Sequence, residues 1–157
     1  MIIRPATLED AAILAELNTH VQRLHFDRRP EIFKPPVASQ AIVQFFHDAL
    51  SDPNNVIYIA EVDDRAVGYV YCKVRLQPDN PFIYRQEVVL VDQLSVNPEH
   101  RGQGYGRLLM EEAFEFARSK GLARVVLDVW AFNDDALGFY RRLGMTIYNE
   151  KFEILLD

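Results

Sequence analysis

The sequence lacks several features that would assign it to a special class of protein. Cys72 is its single cysteine, so no disulfide can form within the chain, and the apolar strand pattern around Cys72 predicts a small buried residue rather than a reactive thiol. No apolar run reaches the roughly 18 residues of a membrane-spanning helix, and no basic and then apolar leader opens the chain. We therefore expect a soluble, cytoplasmic protein without a membrane partner.

An excess of positive charge is missing as well. There are 17 lysines and arginines against 23 aspartates and glutamates, which gives a net charge of -6. This balance disfavours nucleic acid as a partner and suits a cationic partner better. Side chains of His, Cys, Asp and Glu do not recur at the spacing of metal ligands, so the sequence predicts no metal site.

The chain does contain ample material for a core. Hydrophobic residues make up 49% of its 157 residues. A chain of this length buries roughly 70% of its unfolded surface when it folds as one unit. No shift in composition marks a linker, and we therefore predict a single domain over residues 1–157.

Three glycines at alternate positions follow an apolar strand within residues 88–106. They are Gly102, Gly104 and Gly106, and they lead into a helical pattern. Glycines let a ligand approach the backbone, and a helix start offers free N–H groups and a positive dipole end, which suits a pyrophosphate. A Walker A loop is excluded because Arg107-Leu108 replaces its lysine and hydroxyl residue, and the glycine spacing differs from the dinucleotide fingerprint. The glycines alone are equally typical of a plain strand-to-helix connection.

The periodicity of the apolar residues predicts the secondary structure. Helices are expected at residues 7–24, 39–50 and 134–143, and a further helix follows the glycine turn and ends near residue 120. Strands are expected at residues 2–4, 56–62, 66–76, 82–96 and 124–130, with two more within 145–156. This order predicts an α/β (α+β) fold in which a mixed, mostly antiparallel sheet of six to seven strands is flanked by helices. The strand-helix-strand crossover makes the fourth and fifth strands parallel.

Two linked motifs resemble those of the GCN5-related N-acetyltransferases. They are Leu94-x-Val96 with Asn97-Pro98-Glu99 and Arg101-x-x-Gly104-x-Gly106, and then Asn133-x-x-Ala136-x-x-Phe139-Tyr140-x-x-x-Gly144-Met145. The resemblance is densest over residues 88–145. It implies the acyl-CoA N-acyltransferase fold of that family, with acetyl-CoA as cosubstrate. In the family the fourth and fifth strands splay apart, and the pantetheine arm of acetyl-CoA lies in the gap.

The resemblance also implies which residues hold acetyl-CoA. The backbone of the glycine turn, with Arg101 and Arg107 as nearby cations, corresponds to the pyrophosphate site. Main-chain groups of Leu94 and Val96 pair with the pantetheine amides like an added strand. Asn133 either only caps the following helix or also contacts the coenzyme arm. The full expected set is Leu94, Val96, Arg101, Gln103, Gly104, Tyr105, Gly106, Arg107 and Asn133.

Two residues are candidates for catalysis. Tyr140 matches the tyrosine of the family and would give a proton to the leaving thiolate, since a phenol pKa near 10 lies within about two units of a thiol pKa; packing in the core is the alternative. The resemblance also implies a role for Asp92, which occupies the position where family members often carry a carboxylate that handles the amine proton. Because an ordinary aspartate has a pKa near 3.9, it would act through water or attract the ammonium. Glu87 is an alternative base, and an ion pair with a basic neighbour is the alternative role for Asp92.

The acceptor is the least defined part of the prediction. The resemblance implies that the acceptor is recognised by the segment between the first two helices and by the turn near Asn80. Residues 24–36, with Phe26 and Phe33, and also Tyr84 are therefore expected to line an amine pocket, or else to form a packed loop or half of a homodimer contact. The predicted function is acetyl-CoA-dependent N-acetyl transfer to a primary amine by direct attack in a ternary complex. The acceptor is a small amine or polyamine, or a protein N-terminus or lysine. The alternative is a CoA-binding regulatory or interaction module that has lost turnover.

Overall fold

The computed structural model describes residues 1–156 and divides the chain into two compact units, one up to Leu127 and one from Asp128 onward. The strands are β1 (Ile2–Pro5), β2 (Asn55–Val62), β3 (Arg65–Gln77), β4 (Gln86–Val96) and β5 (Val125–Val126). The helices are α1 (Ala11–Arg28), α2 (Gln40–Ser51), α3 (Tyr105–Ser119) and α4 (Asp134–Arg142). Short 3₁₀ turns, Leu8–Asp10 and Pro98–His100, precede α1 and follow β4.

The first unit is built on one sheet with strand order β1-β2-β3-β4-β5. The first four strands are antiparallel neighbours, whereas β4 and β5 are parallel. This confirms the predicted mixed, mostly antiparallel sheet and its parallel fourth and fifth strands. The described residues form five strands, however, rather than six or seven.

Helices cover both faces of this sheet. Side chains on one face of β2 and β3, such as Ile59 and Tyr69, form a buried cluster with α1 and α2. Because neighbouring residues of a strand point to opposite faces, Val70 and Cys72 point away from that cluster, toward the face against which α3 packs. Cys72 is fully buried, and burial raises the pKa of its thiol to about 12, which confirms the predicted core cysteine.

A partly buried ion cluster fixes the start of α1 against the edge of the sheet. The Arg4 guanidinium lies 2.8 Å from Asp10 Oδ2 and 2.7 Å from Glu61 Oε1, which links β1 to the 3₁₀ turn and to β2. The Thr7 N–H donates to Asp10 Oδ2 at 2.7 Å, which is part of a capping box. The hydrogen bond from Arg4 lowers the pKa of Asp10 to about 2, so this carboxylate is charged at neutral pH.

Several predicted boundaries were wrong. Helix α1 continues past residue 24 to Arg28, because Pro30 restricts only the residue before it, and Arg29 is the C-cap. Strand β4 begins at Gln86 rather than at residue 82, because Asn80 Oδ1 accepts the N–H groups of Phe82 and Ile83 in a turn.

The predicted strand at residues 124–130 is reduced to Val125–Val126. Residues 145–156 form no strand, and their apolar side chains are largely exposed: Phe152 is 92% exposed and Leu155 85%. An alternating apolar pattern does not make a strand by itself, because a two-stranded hairpin is only marginally stable without a partner that covers its apolar face.

The second unit contains α4, whose N-cap is Asn133 and whose C-cap is Leu143. Among residues 1–156, no helix combines the length and the apolar character needed to cross a membrane.

Candidate active site

The turn before α3 uses glycine for its own conformation. Gly104 is the N-cap of α3 and has φ of +91°, and Gly102 has φ of +74°. Both values lie in the left-handed region, which side chains with a Cβ rarely adopt. A Cβ at either position would meet no atom within 4 Å, so the space beside both residues is open. The turn therefore presents uncovered main chain to a ligand.

The first turn of α3 provides backbone donors beside these glycines. The N–H of Leu108 donates to the carbonyl of Gly104 at 3.1 Å and closes the first helical turn. The amides of Tyr105, Gly106 and Arg107 come before this bond and have no acceptor in the preceding turn. Together with the positive end of the helix dipole, they favour a bound anion such as a pyrophosphate.

The two arginines expected beside this anion site both have partners within the protein. Arg101 Nε donates to the carbonyl of Val96 at 3.1 Å, which holds the side chain along the end of β4. Arg107 Nε lies 3.0 Å from Glu111 Oε1 in an exposed i,i+4 pair. Exposed pairs of this kind are weak, so the Arg107 guanidinium can exchange its partner for an anionic ligand.

Gln103 and Tyr105 lie on either side of the N-cap. Gln103 Nε2 donates to the carbonyl of Glu99 at 3.2 Å, and the Tyr105 ring meets His100 edge-on with centroids 6.2 Å apart. These side chains hold the turn together, and the main chain faces the open space at the glycines.

One edge of β4 is unpaired where the family resemblance places the donor. Strand β5 pairs with β4 only at Val89 with Val125 and at Leu90 with Val126. Strand β4 continues to Val96, so its residues 91–96 have no β5 partner within the first unit. The splay that the resemblance implies stays a prediction, because β5 has only two residues and both pair with β4.

The main-chain groups of Leu94 and Val96 point to this open edge. The N–H of Asn97 donates to Val67 O at 2.8 Å, which makes this pair a hydrogen-bonded pair of the antiparallel ladder. Hydrogen-bonded and non-hydrogen-bonded pairs alternate, so Gln93 and Ser95 also bond to β3. The N–H and C=O groups of Leu94 and Val96 therefore face away from β3. The Val96 C=O accepts from Arg101 Nε, and the other three groups are available to an added strand or a ligand with amide groups.

A β-bulge lies at Asp92. Tyr71 is opposite Gln93 and Cys72 is opposite Val91, so Asp92 is an extra residue in β4. The bulge turns two consecutive side chains, Asp92 and Gln93, to the face that α1 and α2 cover, and leaves Leu94 on the other face. The bulge thus separates the Asp92 carboxylate from the side chain of Leu94, although only two residues divide them along the strand.

The Asp92 carboxylate has a basic neighbour on β3. Lys73 Nζ lies 2.7 Å from Asp92 Oδ1, and the two side chains are 35% and 24% exposed. Lys73 Nζ also lies 5.6 Å from the centre of the Tyr71 ring. Burial, with Asp92 as the second cause, raises the pKa of the Tyr71 phenol to about 12. The alternative role predicted for Asp92, an ion pair, is therefore present in the structure.

Glu87 is poorly placed to be the alternative base. It lies near the start of β4, seven residues before Leu94, a distance of about 23 Å along a strand. Its carboxylate forms an exposed pair with Arg85 at 3.3 Å.

A buried polar network joins α1 to the same face of β4. The Tyr69 hydroxyl donates to Gln93 Oε1 at 2.6 Å, and Asn18 Nδ2 donates to the Tyr69 oxygen at 3.0 Å. Ser95 Oγ donates to the carbonyl of Leu17 at 3.1 Å. Because a broken buried hydrogen bond leaves an unsatisfied polar group, these contacts hold α1 in one register on β4.

The second unit carries Asn133 and Tyr140. Asn133 Oδ1 accepts the N–H of Ala136 at 3.1 Å, which confirms its capping role and leaves its contact with the coenzyme a prediction. Tyr140 is half-buried, its ring contacts Phe139, and burial raises the pKa of its phenol to about 12.

The segment expected to line the acceptor pocket makes contacts within itself and with α1. Phe33 stacks on His25 with ring centroids 4.7 Å apart, and Gln22 Nε2 donates to the carbonyl of Lys34 at 2.7 Å. Tyr84, in contrast, is 85% exposed.

Sequence reasoning missed Lys73. It stands within an apolar strand pattern and is 19 residues from Asp92, and only the bulge in β4 brings the two side chains together. The only sequence signal for this ion pair was a lysine in the middle of a predicted strand, and that signal did not identify Asp92 as its partner.

Comparison with models of protein families identifies the family of this chain. The model of the Acetyltransferase (GNAT) family matches residues 18–145. The chain belongs to the GNAT family of acetyltransferases.

Curated relatives carry related names. The chain is 34% identical over 103 residues to human N-acetyltransferase 8B, an alignment that covers 66% of this chain and 44% of that protein. It is 29% identical over 101 residues to a putative [ribosomal protein bS18]-alanine N-acetyltransferase of Bacillus subtilis, with 64% of this chain and 60% of that protein covered. The chain thus spans less than two thirds of either relative.

Solved structures share the fold over nearly the whole chain. A mutant of the BH1408 protein from Bacillus halodurans has a TM-score of 0.91 and 28% identity, with 99% of both chains covered. An aminoglycoside N-acetyltransferase in complex with CoA has a TM-score of 0.74 and 16% identity, with 99% of both chains covered, which supports the fold alone.

Proposed function

We propose that this chain binds acetyl-CoA along the open edge of β4 and at the glycine turn, and transfers the acetyl group to a primary amine. The observation that carries the proposal is the outward direction of the main-chain groups of Leu94 and Val96, next to the free amides at the start of α3. One element thus offers amide partners for a pantetheine arm, and the following turn offers donors for a pyrophosphate.

The residues present fit acetyl-CoA. The open space beside Gly102 and Gly104 leaves room for phosphate oxygens against the backbone, and Arg107 supplies a cation whose present partner is exposed. Acetyl-CoA supplies the activated acetyl group as a thioester. The role of the chain is to fix that thioester in place and to position an amine for direct attack.

The acceptor is proposed to approach from the side of the sheet on which α1 and α2 pack, where the Asp92 side chain is partly exposed. The bulge turns the Asp92 carboxylate to this face. A carboxylate attracts the ammonium form of an amine, and water can carry the proton away before attack. The net charge of -6 also favours a cationic acceptor.

Tyr140 is proposed to donate a hydrogen bond or proton to the leaving thiolate. Its phenol, with pKa raised to about 12, is protonated throughout the working range. Full proton transfer to a thiolate becomes less favourable as the phenol pKa rises above the thiol pKa of about 8.5. Stabilisation of the developing charge by a hydrogen bond is therefore the larger part of the proposed role.

The direct test is release of free thiol from acetyl-CoA in the presence of single classes of amine. The panel contains polyamines, aminoglycosides, amino acids, and peptides with free N-termini or lysines. We expect thiol release that depends on one class and on its concentration, with acetylated amine as the second product. Binding of CoA without turnover on any class would favour a binding module instead, and a chain that does not bind CoA would contradict the proposal.

A further inference from the structure

We propose that Lys73 is a self-acetylation site, whose amine occupies the place of the acceptor amine and takes the acetyl group from acetyl-CoA bound to the same chain. The proposal rests on the proposed function, since it uses the same donor site. Its starting observation is the contact of 2.7 Å between Lys73 Nζ and Asp92 Oδ1.

Contacts with neighbouring residues of the sheet hold the side chain of Lys73 in place. Lys73 lies opposite Leu90, and its side chain reaches along β4 to the bulged Asp92. The Tyr71 ring lies 5.6 Å from its Nζ and adds a cation–π contact. An amine held by a carboxylate and an aromatic ring samples fewer positions than the amine of an exposed lysine. An exposed lysine would first have to lose side-chain entropy before its amine could be held for attack.

The amine also contacts a residue that neighbours the proposed donor site along β4. Asp92 precedes Leu94 by two residues, about 7 Å along a strand, and the main chain of Leu94 faces the open edge. The carboxylate proposed to attract the ammonium of an acceptor already holds an ammonium that belongs to the chain. Lys73 therefore has the chemistry of an acceptor and is paired with the carboxylate proposed to attract one.

The proposed step balances with acetyl-CoA as the only co-reactant. The Lys73 ammonium loses one proton to water, directly or through the Asp92 carboxylate. The neutral amine attacks the thioester carbonyl carbon, a C–N bond forms, and the C–S bond breaks. CoA leaves as the thiolate and takes up a proton, and the amine loses its second proton as the amide forms. The products are N-acetyl-Lys73, free CoA thiol and one net proton.

The other three lysines provide internal controls. Lys34, Lys120 and Lys151 are exposed, whereas Lys73 is half-buried and paired. Acetyl-CoA in solution reacts with exposed amines first, so simple chemical acetylation would modify Lys73 last. Self-acetylation predicts the opposite order, with Lys73 modified about 10-fold or more faster than the exposed lysines because its amine is held in place.

The experiment uses the full chain with isotope-labelled acetyl-CoA and no acceptor, and follows the label at each lysine by peptide mass spectrometry. Unfolded chain in urea is the reference, and there we expect the preference for Lys73 to disappear. Dilution distinguishes transfer within one chain from transfer between two chains. Transfer within one chain gives a rate constant that is independent of protein concentration. A rate that rises in proportion to protein concentration would overturn the proposal.

Two variants test the geometry. Asp92→Asn removes the charge that holds the ammonium, and we expect labelling at Lys73 to fall toward that of the exposed lysines. Asp64→Asn changes a carboxylate in the turn between β2 and β3 and should leave the preference for Lys73 intact. Equal loss in both variants would contradict the role of the Lys73–Asp92 pair.

The outcomes distinguish this proposal from the proposed function. Turnover of an added amine with Lys73 labelled no faster than the exposed lysines would overturn self-acetylation alone. Labelling of Lys73 without turnover of any added amine would support self-acetylation and contradict transfer to an external acceptor. A chain that binds no CoA, tested by calorimetry, would overturn both.

Discussion

The phenol of Tyr140 remains protonated wherever acetyl transfer can be assayed, because burial raises its pKa to about 12. Burial raises this pKa because it disfavours the charged phenolate, so the neutral phenol persists to higher pH. Any loss of activity between pH 7 and 10 therefore belongs to another group.

Tyr140→Phe tests this residue directly. We expect kcat to fall by about 10²-fold while the KM for acetyl-CoA changes little, because the hydroxyl acts on the leaving group rather than in binding. The measurement is steady-state thiol release with the best acceptor from the panel, repeated across pH.

Tyr148→Phe is the matched control, since it removes a hydroxyl from an exposed tyrosine of the same unit. Its kcat should equal that of the wild type. A Tyr140→Phe variant with normal kcat, under conditions where chemistry limits the rate, would remove the phenol from the mechanism.

Asp92 shows where residue-level prediction from sequence ended. Its position two residues before Leu94 was enough to select it as a candidate, because that position matches a carboxylate of the family that the sequence resembles. Its partner could not be predicted, since the pairing depends on a bulge that shifts the register of β4 against β3 by one residue.

At the scale of elements, the strand-turn-helix from β4 to α3 is the part that local sequence determines most fully. Gly104 and Gly121 stand at the two ends of α3, at φ of +91° and +69°. The proline turn, the glycines and the apolar helix face each depend on a few neighbouring residues. The strand, turn and helix could therefore be predicted without knowledge of the tertiary structure.

Gly104→Ala and Gly121→Ala form a matched pair of variants. Each places a Cβ at a left-handed position where no other atom lies within 4 Å, so each should destabilise the chain by about 1 kcal/mol. Only Gly104→Ala should weaken acetyl-CoA binding, by about 10-fold or more, because only that Cβ intrudes on the proposed phosphate site.

Urea unfolding gives the stability of both variants, and calorimetric titration gives their affinity for CoA. Equal affinity of the two variants for CoA would contradict a phosphate site at the start of α3.

The strands expected in residues 145–156 show the opposite case. Their alternation of apolar residues is a local signal, but a strand forms only with a partner, and partners are chosen by the whole fold. Helix α1 was also predicted too short: it continues to Arg28, because Pro30 restricts only the residue before it.

For the molecule as a whole, one edge and one face of a single sheet have different proposed tasks. The edge of β4 beyond its pairing with β5 is proposed to hold the donor, and the face under α1 and α2 carries Asp92 and Lys73. This division could not be predicted from sequence, because it depends on which residues the bulge turns to which face.

Titration of ¹⁵N-labelled chain with CoA, followed amide by amide in NMR spectra, tests the central claim most directly. The account predicts that the largest shifts occur at the outward-facing amides of Leu94 and Val96 and at residues 103–107. The amides of Gln93 and Ser95, which bond to β3, should shift less. Absence of shifts, or shifts centred on another surface of the chain, would contradict the proposed acetyl-CoA site.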